Sequence, residues 1–293
     1  RETQGRESIL PDAEKNAMST TDIFRITAPA AEDFAAFHAE GYVAFPAVLS
    51  DAGLAGLTNE ILRHEAVAAY LEKSAAEHDR LRLSYRNWDD KDFWSDQLID
   101  APLVKALLQG LDSEGFHFCH STLSLSLPGA AGIDFHQDHH HWKHDNPINI
   151  AERQRWYIQM LYYPNGFRRG DASLAVIPGS QHIGETPDLT PAKLLSGECD
   201  EEAGRALKEH ALELPAGSMV FLNARCFHAV AAKPIDSPQQ YRLFANYIFK
   251  EVGPPHRCTQ PIPPQWLEGA NFYRKSLFER PAYAPEIWPL TQK

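Results

Sequence analysis

Leu123, Leu125 and Leu127 alternate with Thr122, Ser124 and Ser126, the period of two expected of a strand with one apolar and one polar face. Upstream of this stretch the period is helical. Thr27 is placed to cap a short helix, with Pro29 in its first turn, Phe34 and Phe37 on one face, and Gly41 at its end. A brief strand follows over 42–45, and Ser50 caps a longer helix along which Leu54, Leu57 and Ile61 recur at helical spacing. The acidic, aromatic stretch 87–94 reads as a loop, and Asp100 and Pro102 open another helix that closes near Gly110. Downstream, short strands are expected over 156–163, 172–177, 212–214, 219–222, 227–231 and 241–249, with proline- and glycine-containing turns at 164–166, 178–180 and 215–217. Residues 186–205, rich in helix formers and acids, read as an insertion between strands.

This order predicts a mainly β fold with flanking α: a double-stranded β-helix, or cupin-like jelly roll, with an N-terminal helical layer. At 293 residues the chain is long enough for one large domain with decorations. The expected organisation is a leader or disordered arm over 1–17, ahead of Met18, then a single jelly-roll domain over 18–252. Residues 253–293 form a C-terminal extension with eight prolines and the aromatics Trp266, Phe272, Tyr273, Phe278, Tyr283 and Trp288. A disordered tail would be poor in aromatics, so the extension is expected to pack on the domain or on a partner subunit.

Charge and cysteine content narrow the function classes. The formal net charge is -11 and no run of Lys and Arg is present, which speaks against nucleic acid and anionic membrane surfaces as partners. Four cysteines without CxxC spacing read as reduced thiols of a cytoplasmic protein. No apolar run approaches the ~18 residues of a spanning helix. The expectation is a soluble protein, monomer or homodimer, acting on a small molecule.

The chemistry concentrates in 134–142, where His136 and Asp138 stand at strand spacing and so face the same side. An imidazole and a carboxylate so placed can bind one metal ion. A third ligand is available in His228, 90 positions after Asp138 in another apolar run. Two histidines and one carboxylate favour non-haem Fe(II), because they leave adjacent positions open for co-substrate and oxygen. The histidines at 139, 140, 141 and 144 read more simply as a solvated loop, with His140 sharing the face of His136 and Asp138 if the strand continues. Gln159, mid-strand, either contacts co-substrate or substrate or makes a core hydrogen bond. Ser124 and Ser126 face either a pocket or solvent. Arg153, Arg155, Arg168 and Arg169 flank the second strand, either as ordinary surface charges or as steering charges for an anion.

Phe-His136-Gln-Asp138, then Val-Ile-Pro-Gly-Ser180-Gln-His, then Leu-Pro-Ala-Gly-Ser-Met-Val-Phe with His228, then Arg242 in the last strand, together resemble the phytanoyl-CoA dioxygenase family of Fe(II)- and 2-oxoglutarate-dependent oxygenases. The Glu-Gly-Tyr-Val segment within 37–45 is similar to that family's opening. The resemblance spans roughly residues 30–250. It implies His136, Asp138 and His228 as catalytic metal ligands and Arg242 as the cation that grips the far carboxylate of 2-oxoglutarate, for which a planar guanidinium is suited. Asn246 shares the strand face of Arg242, which makes it, with Gln159, a candidate lining residue on the cofactor side. Thirteen residues separate His228 from Arg242, more than the family's usual spacing, and Lys233, in the lengthened turn 233–239, is the rival cation.

What the resemblance implies is an enzyme that uses Fe(II), 2-oxoglutarate and O2. It would hydroxylate or desaturate an unactivated C–H of a small-molecule metabolite and release succinate and CO2. Halogenating relatives replace the carboxylate ligand with a small residue, so Asp138 disfavours halogenation. The acidic chain argues against a bulky polyanion such as coenzyme A. The stretch 87–94 is a candidate lid, and 142–149 a candidate pocket wall. Two alternatives stay open on the same residues: a divalent-metal hydrolase or ring-cleaving dioxygenase, and a non-catalytic ligand-binding jelly roll.

Overall fold

The structure, a computed structural model, describes residues 23–73, 77–88, 93–111, 115–138, 156–184, 188–251 and 261–278. Among them, two antiparallel sheets face each other. The larger runs β1 (Tyr42–Phe45), β8 (Ser218–Asn223), β5 (Tyr157–Tyr163), β10 (Arg242–Glu251), β3 (Phe116–Ser126) and β2 (Arg82–Arg86), in that spatial order. The smaller runs β4 (Ile133–His136), β9 (His228–Val230), β6 (Leu174–Val176) and β7 (His210–Ala211). This is the jelly roll that the alternating pattern predicts.

Each face of the larger sheet buries a different set of residues. One face, with Phe118, Leu123, Leu125, Tyr162 and Tyr247, packs in one core with residues of the helices α2 (Asp51–Arg63) and α5 (Pro102–Gly110), among them Leu57, Ile61, Leu103 and Leu107. On the other face Leu161, Tyr163, Val220 and Leu222 meet Leu174 and Val176 of the smaller sheet. β5 is consequently buried along its whole length, and its sequence is a continuous apolar run broken only by Gln159. A buried Leu contributes ~1.5–3 kcal/mol, whereas an exposed pair such as Arg25–Asp51 contributes ~0–1 kcal/mol. The apolar faces therefore hold the helices to the sheet.

The helical layer follows the expected order with one shifted start. α1 (Ala31–Glu40) begins four residues after Thr27, and its first turn is closed by Asp33, whose carboxylate accepts from the Ala30 N–H at 2.8 Å. Pro29 explains the shift, since it drives the residue before it out of the helical region. Gly41 ends α1 in the left-handed region, with its N–H on the Phe37 carbonyl, and a Cβ there would strike Gln181 and Cys226. Ser50 caps α2 as expected, accepting from the Gly53 N–H at 2.9 Å. The short helix α3 (Glu65–Leu71) follows α2 directly after His64 with no side-chain cap, and α4 (Phe93–Gln97) follows from local capping rather than from an apolar period. Glu60, for example, accepts from the backbone N–H groups of both Trp94 and Ser95.

Two further differences concern strands. β2 is an element the apolar pattern did not announce, and the strand expected over 212–214 pairs instead at His210–Ala211 and through a bridge from Leu214 to Phe167. The insertion holds two short helices, α6 (Pro191–Leu195) and α7 (Asp200–Ala203). Past it, α8 (Phe272–Phe278) and Trp266 close around Phe118, with the Trp266 and Phe278 ring centroids 5.8 and 5.7 Å from that ring. Arg274 on α8 bonds Asp96 and Asp100, which ties this segment to the helical layer. Residues 1–17, 139–149, Arg153 and Arg155 lie outside the described residues, as do 89–92 of the candidate lid. Its two ends are held in the core, where Trp88 and Trp94 are buried. No helix of the described residues is long and apolar enough to cross a membrane.

Lys233, the rival cation, is buried and committed. Its Nζ donates to Asp171 at 2.7 Å and to Ser237 at 2.8 Å, and Ser237 also donates to Asp171. This triad ties the turn before β10 to the turn before β6. Breaking a buried pair leaves one charge uncompensated, so Lys233→Met should cost ~3–5 kcal/mol in urea unfolding. The double variant Lys233→Met/Asp171→Leu should recover most of it. A loss below ~1 kcal/mol for the single variant would contradict this account.

Candidate metal centre

β4 and β9 pair so that His136 lies directly opposite His228. Both are then on the face turned toward the larger sheet, and the chain leaving β4 brings Asp138 to the same point. The Nε2 atoms of His136 and His228 lie 3.5 and 3.3 Å from the Asp138 carboxylate, one against each oxygen. Candidate ligand atoms of all three residues fall within 4.8 Å of one another. That is the spacing of groups that surround one ion.

The tautomers suit that role. His136 Nδ1 sits 2.7 Å from the Asp134 carbonyl, and His228 Nδ1 sits 2.9 Å from the Cys226 carbonyl. A carbonyl only accepts, so each Nδ1 carries the proton and each Nε2 presents its lone pair to the centre. Burial works against ionisation of Asp138, but the two imidazoles outweigh it and hold the carboxyl well below its usual range. Burial likewise works against protonation of His136, yet the Asp138 carboxylate raises it overall.

Behind the triad runs a chain of amides. Gln159 Nε2 donates to Asp138 Oδ2 at 2.5 Å, and Asn246 Nδ2 donates to Gln159 Oε1 at 2.6 Å. Both residues face the cavity: Gln159 orients the carboxylate and Asn246 Nδ2 holds Gln159, while the buried Asn246 Oδ1 has no hydrogen-bond partner among the described residues. Gln159 makes a buried hydrogen bond and stands in the wall of the same cavity.

The cavity between the sheets measures about 330 Å³, within the range of small-molecule sites, and is lined by the triad together with Arg82, Arg86, His120 and Arg242. Arg242 is buried. Its Nε donates to the Ala172 carbonyl at 3.0 Å and its guanidinium lies over the rings of Tyr163 and Phe244. Among the described residues no acidic side chain pairs with it. Burial lowers its pKa to about 10; Tyr163 and the nearby Asp171 carboxylate oppose the shift and Arg82 reinforces it. Tyr163 cannot supply the missing charge, because burial pushes its phenol up to about 12. Ser124 lines this cavity, and Ser126 is fully buried beside it. Ser124 donates to the Leu83 carbonyl, and Ser126 accepts from Arg82 at 3.2 Å. Arg168 and Arg169 lie outside the cavity wall on an exposed turn. Besides Arg242 of β10, its positive charge comes from β2, whose Arg-Leu-Ser-Tyr-Arg alternation was the available signal. The histidines at 139–141 and 144 are outside the described residues.

A family model described as phytanoyl-CoA dioxygenase matches residues 37–242. The chain belongs to the phytanoyl-CoA dioxygenase family. Membership puts it among the Fe(II)- and 2-oxoglutarate-dependent oxygenases. Similar solved structures include the non-heme alpha ketoglutarate dependent carbocyclase SnoK from nogalamycin biosynthesis, at 14% identity and a TM-score of 0.58 over 83% of this chain and 91% of that one. HygX from Streptomyces hygroscopicus, with nickel and 2-oxoglutarate bound, matches at 13% identity and 0.54, over 77% and 88%. EctD from S. alaskensis, with 2-oxoglutarate and 5-hydroxyectoine, matches at 18% identity and 0.56, over 76% and 77%. At such identities the likeness is one of fold. No curated protein matches the sequence.

The amide chain makes a separable prediction. Gln159→Leu should weaken Ni(II) or Fe(II) binding ~10–100-fold in chelator competition. Asn246→Ala, one bond further out, should weaken it less. Unchanged affinity in Gln159→Leu would mean that the amide does not hold the carboxylate.

Proposed function

We propose that this protein is an Fe(II)- and 2-oxoglutarate-dependent oxygenase that hydroxylates or desaturates an unactivated C–H of a small-molecule metabolite. His136, Asp138 and His228 would hold the iron, and Arg242 the far carboxylate of 2-oxoglutarate. The observation that carries this reading is the buried Arg242 guanidinium, without an acidic partner among the described residues, in the same cavity as the His–Asp–His triad. A buried charge needs a counter-charge. A hydrolase acting on the same three ligands would have no use for a buried guanidinium at this point, whereas a dicarboxylate supplies the missing anion. A non-catalytic module would not need the triad.

The donor set fits iron. Two neutral imidazoles and one carboxylate match the ligand softness and geometry of non-haem Fe(II) centres with open positions. When bound, iron supplies the redox chemistry that couples conversion of 2-oxoglutarate to succinate and CO2 with oxidation of a substrate C–H.

The protein's own residues do the placing. Arg242 fixes the direction of the co-substrate through parallel hydrogen bonds, its planar fork backed by the Tyr163 and Phe244 rings. Gln159 and Asn246 keep the Asp138 carboxylate turned toward the two imidazoles. His120, which also lines the cavity, is lowered to about 4 by burial, partly offset by Asp138, so it is neutral at pH 7 and does not act as a general acid there. The reading takes residues 18–252 as one jelly-roll domain of a cytosolic enzyme, supported by four cysteines without CxxC spacing.

The test is turnover. Release of succinate from 2-oxoglutarate should require Fe(II) and oxygen. Arg242→Ala should raise the KM for 2-oxoglutarate by roughly two orders of magnitude, the cost of removing one member of a buried charge pair. Turnover of any substrate without 2-oxoglutarate, or an unchanged KM in Arg242→Ala, would overturn the assignment.

A further inference from the structure

The cavity is cationic in an acidic protein. Its walls carry Arg82, Arg86 and Arg242, and among the described residues the only carboxylate on them is Asp138, although the chain as a whole has a net charge of -11. If the triad holds a divalent ion, that ion, Asp138 and the two carboxylates of 2-oxoglutarate still leave two positive charges on the described walls. One of them is accounted for in part: Arg82 stands in the same cross-strand row as Arg242, both opposite Ser126, and donates to Ser126 and to the Ala131 carbonyl. Arg86 stands elsewhere and has no partner among the described residues.

The register locates it. Arg86 is opposite Thr122, and Thr122 is opposite Asn246, so the three form one row across β2, β3 and β10. Asn246 is the end of the amide chain that reaches Asp138. Arg86 is therefore on the metal's side of the cavity, four residues, or ~13 Å, along the strand from the Arg82 row. It is also two strands, or ~10 Å, to the side of Asn246 on the edge strand, where it is exposed at the cavity wall. The pleat fixes its direction. Leu83 and Tyr85 of β2 turn to the hydrophobic core, and Arg82, Ser84 and Arg86 line the cavity. An arginine kept only to protect an edge strand from pairing would have no reason to stand in the same row as the amide chain.

We propose that the oxidised substrate is an anion, a carboxylate or a phosphate monoester, whose acidic group docks on Arg86 while its reacting carbon lies at the metal centre. This deepens the oxygenase reading and rests on it. Hydrogen bonds from Thr122 and Ser84, which share the wall, complete a polar corner for that group. His120, neutral beside it, adds a donor without adding charge. The same arginine discriminates against neutral analogues, since these leave its charge desolvated and unanswered.

Binding tests this without requiring turnover. The metal-loaded protein, anaerobic and saturated with 2-oxoglutarate, is exposed to short carboxylic acids and phosphate monoesters, each paired with its primary amide or parent alcohol. Affinities are read by ligand-observed NMR. In wild type the acids should bind at least roughly tenfold tighter than their neutral partners, Arg86→Gln should abolish that preference, and Arg86→Lys should restore part of it. The exposed Arg169→Gln serves as the charge control and should keep it. No preference for acids in wild type, or a preference that survives in Arg86→Gln, would overturn the proposal. Failure of the oxygenase reading looks different: 2-oxoglutarate itself would not bind in an Arg242-dependent manner, whatever the acids do at Arg86.

Discussion

The antiparallel register that sets His136 opposite His228 is the constraint on which the site depends. These residues are far apart in sequence, and only the pairing of β4 with β9 brings their rings to 4.4 Å between centroids. A slip of one residue would turn one imidazole to the outer face and destroy the centre, because side chains alternate along a strand. The register is secured from both sides. β9 is held by β6 as well as by β4, and Gln137, between the two first ligands, donates to the Arg225 carbonyl at 2.6 Å. Cys226 and Asp134 then use their carbonyls to fix the imidazole tautomers, so the strand ends that set the spacing also set the direction of the lone pairs.

Two buried cations near the start of β10 show how the same chemistry serves different ends. Lys233 is fully neutralised by Asp171 and Ser237, and it stabilises the turn that delivers the chain into β10. Arg242, nine residues on, has a backbone carbonyl and two aromatic faces around it but no acidic partner among the described residues. A solved ion pair belongs to the fold. A guanidinium with no acidic partner among the described residues, in the same cavity as three candidate metal ligands, fits a place in the proposed chemistry, since burying it is unfavourable until an anion arrives.

Much of this was legible from residue pattern. Period-two alternation at 122–127 marked β3, and the His136–Asp138 spacing marked one face of one strand. Motif order brought His228 and Arg242 to the same cavity despite the lengthened turn between them. What the pattern hid has physical causes. β2 carries arginines where a half-buried strand usually carries apolar or small polar residues, because its inner face meets a charged cavity rather than a core. Gln159 could not be assigned from sequence, since a mid-strand amide serves a core bond or a ligand equally well until its partner is known, and that partner is Asp138. The start of α1 moved past Thr27 because Pro29 restricts the residue before it, an effect that outweighs a good capping side chain two positions earlier.

The measurement closest to the central claim is an anaerobic titration of the metal-free protein with Fe(II) and then 2-oxoglutarate, followed in the visible spectrum. Growth of the weak charge-transfer band of an iron-chelated 2-oxo acid, saturating at one 2-oxoglutarate per iron and lost in His228→Ala, is the predicted result. Tightly bound iron with no such band at any 2-oxoglutarate concentration would contradict it, and would return the His136, Asp138 and His228 centre to the hydrolytic or ring-cleaving reading.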